Sequence, residues 1–204
     1  MSAVVGGSST LSKYRSQFPE NFPTDLVQAR GSQVWGSDGK QYTDWISGGL
    51  AVMLGHNHSE VNDAVVKHLY SGGPTWSLPH LLEEEVAETI LRLTGFDGGK
   101  VRFFKTGSEA CSAAVRIARA ATGHGLVIDL GTYHGWRDQF QHLPPAWGIT
   151  WGQREDVQRV FKPKVESLEI DGAAAVIVEP DCGLDMHRLH ERCRAAGVLV
   201  VFDE

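Results

Sequence analysis

Hydrophobic positions in this chain change period as the sequence proceeds. Between about residues 59 and 94, apolar side chains recur at three- and four-residue steps; beyond residue 100, short apolar runs alternate with stepped segments of that kind. Val61, Ala64, Val65, His68 and Leu69 predict a helix that starts near Ser59 as its N-cap and stops at Gly72-Gly73. Leu82, Val86, Ile90 and Leu93 share one face of a second helix over 80–94, with Glu83, Glu84 and Glu85 at its dipole-positive start and Gly95 after its end. A third stripe (Ala110, Ala113, Ala114, Ile117, Ala118, Ala121) predicts a helix over 108–122. Residues 155–169 read as helical with a break at Pro163, and 185–196 as the last helix. Residues 101–104, 126–130, 173–178 and 198–202 read as strands. Apolar strands alternating with helices predict an α/β fold, a mostly parallel sheet covered by helices on both faces.

The N-terminal part has another texture. The first thirty residues mix Gly, Ser, Pro and charge without a sustained period and read as an arm. Residues 33–35 and 41–45 flank Ser37-Asp38-Gly39-Lys40, a β-hairpin with turn residues suited to its geometry. Residues 139–153, with Pro144-Pro145, read as an irregular loop. The expected organisation is an arm over 1–30, a hairpin and helix over 31–72, and an incomplete larger domain over 73–204.

Composition narrows the function classes. With 204 residues, 42% hydrophobic and 22% charged, the chain is an ordinary globular sequence. A formal net charge of −6 argues against a generic nucleic-acid binder. Three scattered cysteines without a CxxC pair fit reduced thiols in the cytoplasm. The start lacks the marks of a signal peptide, and nothing approaches a transmembrane run, so neither membrane nor export is expected.

Ligands of open parallel sheets bind beyond the carboxyl ends of the strands. Four loops fall there. In 105–109, Gly107 lets a ligand approach the backbone, Ser108 offers a hydroxyl, and the helix amides point outward, an arrangement suited to phosphate. A plain N-cap with glycine in its turn is the competing interpretation of the same residues. Gly131-Thr132-Tyr133-His134-Gly135-Trp136 follows the next strand and offers an aromatic platform. The last two strands end in Glu179-Pro180 and Asp203-Glu204. A buried Asp203 would need a cation, and a protonated pyridine nitrogen is one. Cheaper explanations suffice elsewhere. Surface histidines account for His56/His58 and His187/His190, Gly98-Gly99-Lys100 lacks the Walker spacing, and Cys111 reads as an inert buried thiol rather than an activated one.

Residues 103–110, Phe-Phe-Lys-Thr-Gly-Ser-Glu-Ala, with Ala114-Val115-Arg116-Ile117-Ala118-Arg119 and Thr122-Gly123 behind them, resemble the phosphate loop and following helix of class III aminotransferases. The nearest type is the glutamate semialdehyde aminomutases, pyridoxal-phosphate enzymes of fold type I. The resemblance extends over about 25–204 through the Asp38-Gly39 hairpin, Leu54-Gly55-His56-Asn57-His58, Tyr133-His134-Gly135, Val178-Glu179-Pro180 and Asp203-Glu204. It implies that Thr106, Gly107 and Ser108 hold the cofactor phosphate, that Tyr133 stacks on the pyridine ring beside His134, and that Asp203 pairs with its nitrogen. Glu179 would lie near cofactor or substrate, and Trp76 near substrate. The family's Schiff-base lysine, last strands and C-terminal domain match nothing here, and none of the seven lysines is aimed to replace that lysine. No catalytic residue is therefore assigned to this chain. The expectation is the N-terminal half of a PLP-dependent aminotransferase or aminomutase, completed by a polypeptide carrying the C-terminal half, in a homo- or hetero-oligomer acting on a small amine or keto substrate. The alternative is a non-catalytic remnant that binds phosphate ligands or a partner.

Overall fold

A computed structural model describes residues 3–4, 7–9, 13–131, 134, 156–160 and 164–204. The chain forms two compact units, 1–84 and 85–204.

The first unit is built on an antiparallel sheet in the order β1 (Leu26–Arg30), β2 (Gln33–Gly36), β3 (Gln41–Thr43). The expected hairpin is β2–β3, closed by Gly36 N–H donating to the Lys40 carbonyl and tightened by Lys40 N–H on the Asp38 carboxylate. β1 corrects the expectation of an arm through residue 30: its backbone pairs with β2, although Leu26 and Val27 stay exposed and give it no apolar alternation to detect. After β3 the chain makes a turn, α1 (Ser47–Leu50), in which Ser47, Gly48, Gly49 and Leu50 all have positive φ. Asp44 clamps this unusual backbone. Its carboxylate accepts from the amides of Ile46 (2.9 Å) and Gly48 (2.7 Å), and it lies 2.7 Å from Nε2 of His56.

The His56 hydrogen bond, helped by those two amides against partial burial, holds Asp44 below the usual carboxylate range. A carboxylate with a depressed folded pKa stabilises the fold above its unfolded pKa, about 3.9, and loses that contribution as pH falls through the lower folded value. Protection of the Ile46 and Gly48 amides from hydrogen exchange is therefore expected to decline below about pH 4. In Asp44→Asn it is expected to be weak already at neutral pH.

Helix α2 (Ser59–Ser71) matches the expected span, with one correction at its start. His58 occupies the N-cap without a side-chain cap bond, and Ser59 is the first helical residue. Helix α3 (Leu81–Thr94) also matches. Neither helix buries a residue: Val61, Val65 and Leu69 of α2, and Leu82, Val86 and Ile90 of α3, are 37–53% exposed. Their apolar stripes are real, but no described residue covers them.

The second unit carries the parallel sheet, in the order β5 (Val157–Arg159), β4 (Val127–Asp129), β6 (Ala175–Val178), β7 (Leu199–Phe202). Helix α4 (Gly107–Thr122) covers one face, where Cys111 and Val115 pack with Val127, Val157 and Ile177. The other face packs Ile128, Val176 and Val178 against Leu189 and Cys193 of α5 (Met186–Ala195). Because alternate residues of each strand serve opposite covered faces, β4 and β6 are buried throughout and read as unbroken apolar runs.

Two expected elements differ. Residues 101–104 form no strand; among the described residues none pairs with them, and Phe103 and Phe104 stay over 40% exposed. The helix expected over 155–169 is instead β5 followed by a 3-10 turn at Val165–Ser167, with 161–163 outside the described residues. Pairing with β4 decided this: Val127 donates to the Asp156 carbonyl and Val160 to that of Asp129. The loop expected over 139–153 lies outside the described residues.

Candidate functional site

The parallel register brings the carboxyl ends of β4, β6 and β7 to one edge. Leu130 donates to the Ile177 carbonyl, Glu179 to that of Gly131, and Asp203 to that of Val178. Asp203 and Asp129 are the two charged residues buried among the described ones, at 7% and 0% exposure, and both stand at this edge. Asp129 accepts from the Gly131 amide at 2.8 Å, and Arg159 at the end of β5 brings Nε within 3.9 Å of its other oxygen. No motif signals this pair; only strand pairing places Arg159 beside Asp129.

The N-terminus of α4 faces the same edge. Thr106 and Glu109 form a complete capping box: the Thr106 hydroxyl accepts from the Glu109 amide at 3.2 Å, and the Glu109 carboxylate accepts from the Thr106 amide at 3.1 Å. Of the four orphan donors at this helix start, the cap uses two. The amides of Gly107 and Ser108 remain for a ligand, together with the Ser108 hydroxyl. Thr106 thus shapes the loop with its side chain engaged. Thr106→Ala is expected to cost about 1 kcal/mol of stability, lowering the melting temperature by about 2–4 °C in a thermal scan.

His134 joins the loop to the sheet edge. Its ring Nδ1 lies 2.5 Å from one Asp203 oxygen, and its main-chain N–H donates to the other at 3.1 Å. A carboxylate accepts only, so Nδ1 carries the proton. The ring rests against Gly107: a Cβ built there would stand 2.2 Å from Cδ2 of His134. This close approach, not a positive φ, is what requires glycine. Cys111, one turn into α4, completes the group. Its thiol, a His134 ring nitrogen and an Asp203 oxygen lie within 4.8 Å of one another. Burial, then the Asp203 carboxylate and more distantly Asp129, push the Cys111 thiol up to about 11. It is the protonated, unactivated thiol expected.

Of the expected site residues, Thr106, Gly107, Ser108, His134 and Asp203 come together, and Glu179 stands half-buried on the neighbouring strand end. Tyr133 lies outside the described residues. Trp76 belongs to the first unit, where its ring sits 4.2 Å from that of His80 and 5.5 Å from that of His68. A surface crevice lined by Val165, Glu166, Arg188, Glu191 and Arg192 is remote from this chemistry, and its charges are engaged. Arg188 pairs with Glu166, and Arg192 donates to the carbonyls of Val165 and Leu168.

Comparison with known proteins bears on this arrangement. The family described as aminotransferase class-III matches residues 14–139. A glutamate-1-semialdehyde 2,1-aminomutase of Leptothrix cholodnii is 32% identical over 213 residues, an alignment covering 89% of this chain and 47% of that protein. The protein of the same name from Symbiobacterium thermophilum is 31% identical, with 98% and 52% covered. Among solved structures, a transaminase with PLP bound superposes with a TM-score of 0.79 at 26% identity, covering 92% of this chain and 50% of that one. The chain spans about half the length of the curated relatives it matches.

Proposed function

The chain belongs to the class-III aminotransferases, and from that premise we propose that it is the cofactor-anchoring half of a pyridoxal-phosphate aminotransferase or aminomutase. The observation that carries this reading is the buried Asp203 carboxylate, held by His134 beside Gly107 at the open start of α4. The donor set fits the cofactor. Two amides and a hydroxyl suit a phosphate, and each Asp203 oxygen, bonded once by His134, keeps a second lone pair for a protonated ring nitrogen.

In this reading the Gly107 and Ser108 amides and the Ser108 hydroxyl grip the phosphate, each charge-assisted bond contributing about 1.5–3 kcal/mol. Asp203 accepts a proton-bearing ring nitrogen and keeps the proton there. Pyridoxal phosphate, when bound, supplies an electron sink for the carbanion left at a substrate's Cα. His134 is a positioning residue: its two N–H groups fix both Asp203 oxygens, so the carboxylate arrives oriented. Tyr133 would cover the ring face, Glu179 would stand near cofactor or substrate, and Trp76 would approach substrate. A lysine from a complementing polypeptide would carry protons to and from the substrate carbon.

Two features support cover by further polypeptide: the stripes of α2 and α3 are exposed, and the outer edge of β7 has no partner strand among the described residues. The test is to mix this chain with a lysine-bearing second half and pyridoxal phosphate, reduce with borohydride, and locate the added mass. Mass on a lysine of the second half, with a new visible absorbance, is expected. Mass on a lysine of this chain would overturn the assignment of that role elsewhere. No absorbance change even in the mixture would favour a non-catalytic binding module.

A further inference from the structure

We propose that Cys111, His134 and Asp203 form a binding site for one divalent cation of the zinc class. The three side chains come from α4, the segment after β4, and the tip of β7, so the fold itself assembles them. Their donor atoms lie within 4.8 Å of one another. Zinc bonds of about 2.0–2.3 Å at tetrahedral angles require donors roughly 3.3–3.7 Å apart, so an entering ion would replace the 2.5 Å His134 Nδ1–Asp203 hydrogen bond, spreading those two donors while drawing in the Cys111 sulfur.

Charge and chemistry both favour this cation. A thiolate and a carboxylate neutralise a divalent ion, and a neutral imidazole adds no charge. The assembled site is therefore electrically neutral, which removes the main cost of burying it. A thiolate with an imidazole selects zinc or cobalt over magnesium or calcium, whose oxygen-rich shells this set cannot supply. The balance is simple. The Cys111 S–H bond breaks, its electron pair forms the sulfur–metal bond, and one proton leaves to solvent. If Nδ1 ligates, the His134 proton reappears on Nε2, so the ring stays neutral. The side chain of His134 is 34% exposed and marks the solvent entry, whereas that of Asp203 is 4% exposed. Three protein ligands leave a fourth position open for water. Because the same Asp203 carboxylate is the proposed partner of the cofactor ring, metal and cofactor would exclude one another.

Cobalt(II) titration of this chain alone tests the site without cofactor, so the result is independent of the pyridoxal-phosphate reading. One equivalent is expected to bind with a thiolate-to-metal charge-transfer band in the near ultraviolet, and zinc is expected to bleach it. Cys111→Ser should abolish the band and weaken binding at least ~10-fold, while Cys182→Ser, at an exposed position, should leave it intact. Should Cys111→Ser fail to fold, His134→Gln gives the second arm, expected to retain a weakened band with ~10-fold lower affinity. Absence of the charge-transfer band in the parent chain overturns the proposal. So does a band that follows Cys182, or one that neither the Cys111 nor the His134 variant changes.

Discussion

Asparagine at position 203 is expected to weaken retention of pyridoxal phosphate in the completed assembly by roughly 10- to 150-fold, with a larger loss in turnover. The first figure follows from one charge-assisted hydrogen bond of about 1.5–3 kcal/mol, at about 1.4 kcal/mol per tenfold. Turnover suffers further because a neutral amide does not hold the proton on the ring nitrogen, and an unprotonated ring withdraws electrons less well. The substitution also disturbs the chain's own geometry. Asp203 accepts from the His134 ring at one oxygen and from the His134 amide at the other. An asparagine has one acceptor, so in either orientation one His134 donor meets an NH2 group. A buried donor left without an acceptor costs about 1–3 kcal/mol.

Equilibrium dialysis of the cofactor and single-turnover kinetics separate these effects. Loss of affinity and rate together is expected. Unchanged affinity would show that Asp203 does not face the cofactor. Asp203→Glu distinguishes charge from reach: it restores the negative charge one methylene further out, and is expected to regain affinity less than fully.

The sequence carried β4 and β6 because both strands are buried on both faces, leaving unbroken apolar runs at 126–130 and 173–178. β7 shows the same apolar run over 198–202, although Leu199 and Phe202 stay over 40% exposed. The sequence also marked Thr106-Gly107-Ser108 as a small-residue turn opening a helix and Asp203 as the end of a strand, and the structure brings these ends together through His134. What it could not carry depends on pairing. β1 has exposed Leu26 and Val27 and exists through backbone bonds to β2. β5 shares its apolar spacing with a helix and is settled only by lying beside β4. The Asp129–Arg159 contact and the approach of Cys111 to Asp203 join residues far apart in sequence, and no local pattern encodes them. The stripes on α2 and α3 were legible as helix faces, but periodicity reports that a face is apolar, not what covers it.

Gly107→Ala is expected to be the most damaging single-methyl change at this site. The added Cβ would fall 2.2 Å from Cδ2, 2.5 Å from Cγ and 2.6 Å from Nε2 of His134. All three atoms belong to a rigid ring, and that ring is tethered through Nδ1 to Asp203 at 2.5 Å. It cannot retreat from Gly107 without releasing the carboxylate, so one methyl group disrupts both the helix-end cradle and the orientation of Asp203. Overpacking of this kind costs about 1–3 kcal/mol, and losing the tether adds to it, so cofactor affinity is expected to fall at least ~10-fold. Alanine is otherwise the better helix former by about 1 kcal/mol, so a simple propensity effect would have the opposite sign. A double-mutant cycle with His134→Ala isolates the clash. Removing the ring gives the new methyl its space, so the damage from Gly107→Ala should shrink by at least ~1 kcal/mol in that background. Strict additivity of the two changes would mean that the ring does not rest on Gly107, and the geometry on which the cofactor reading depends would then fail.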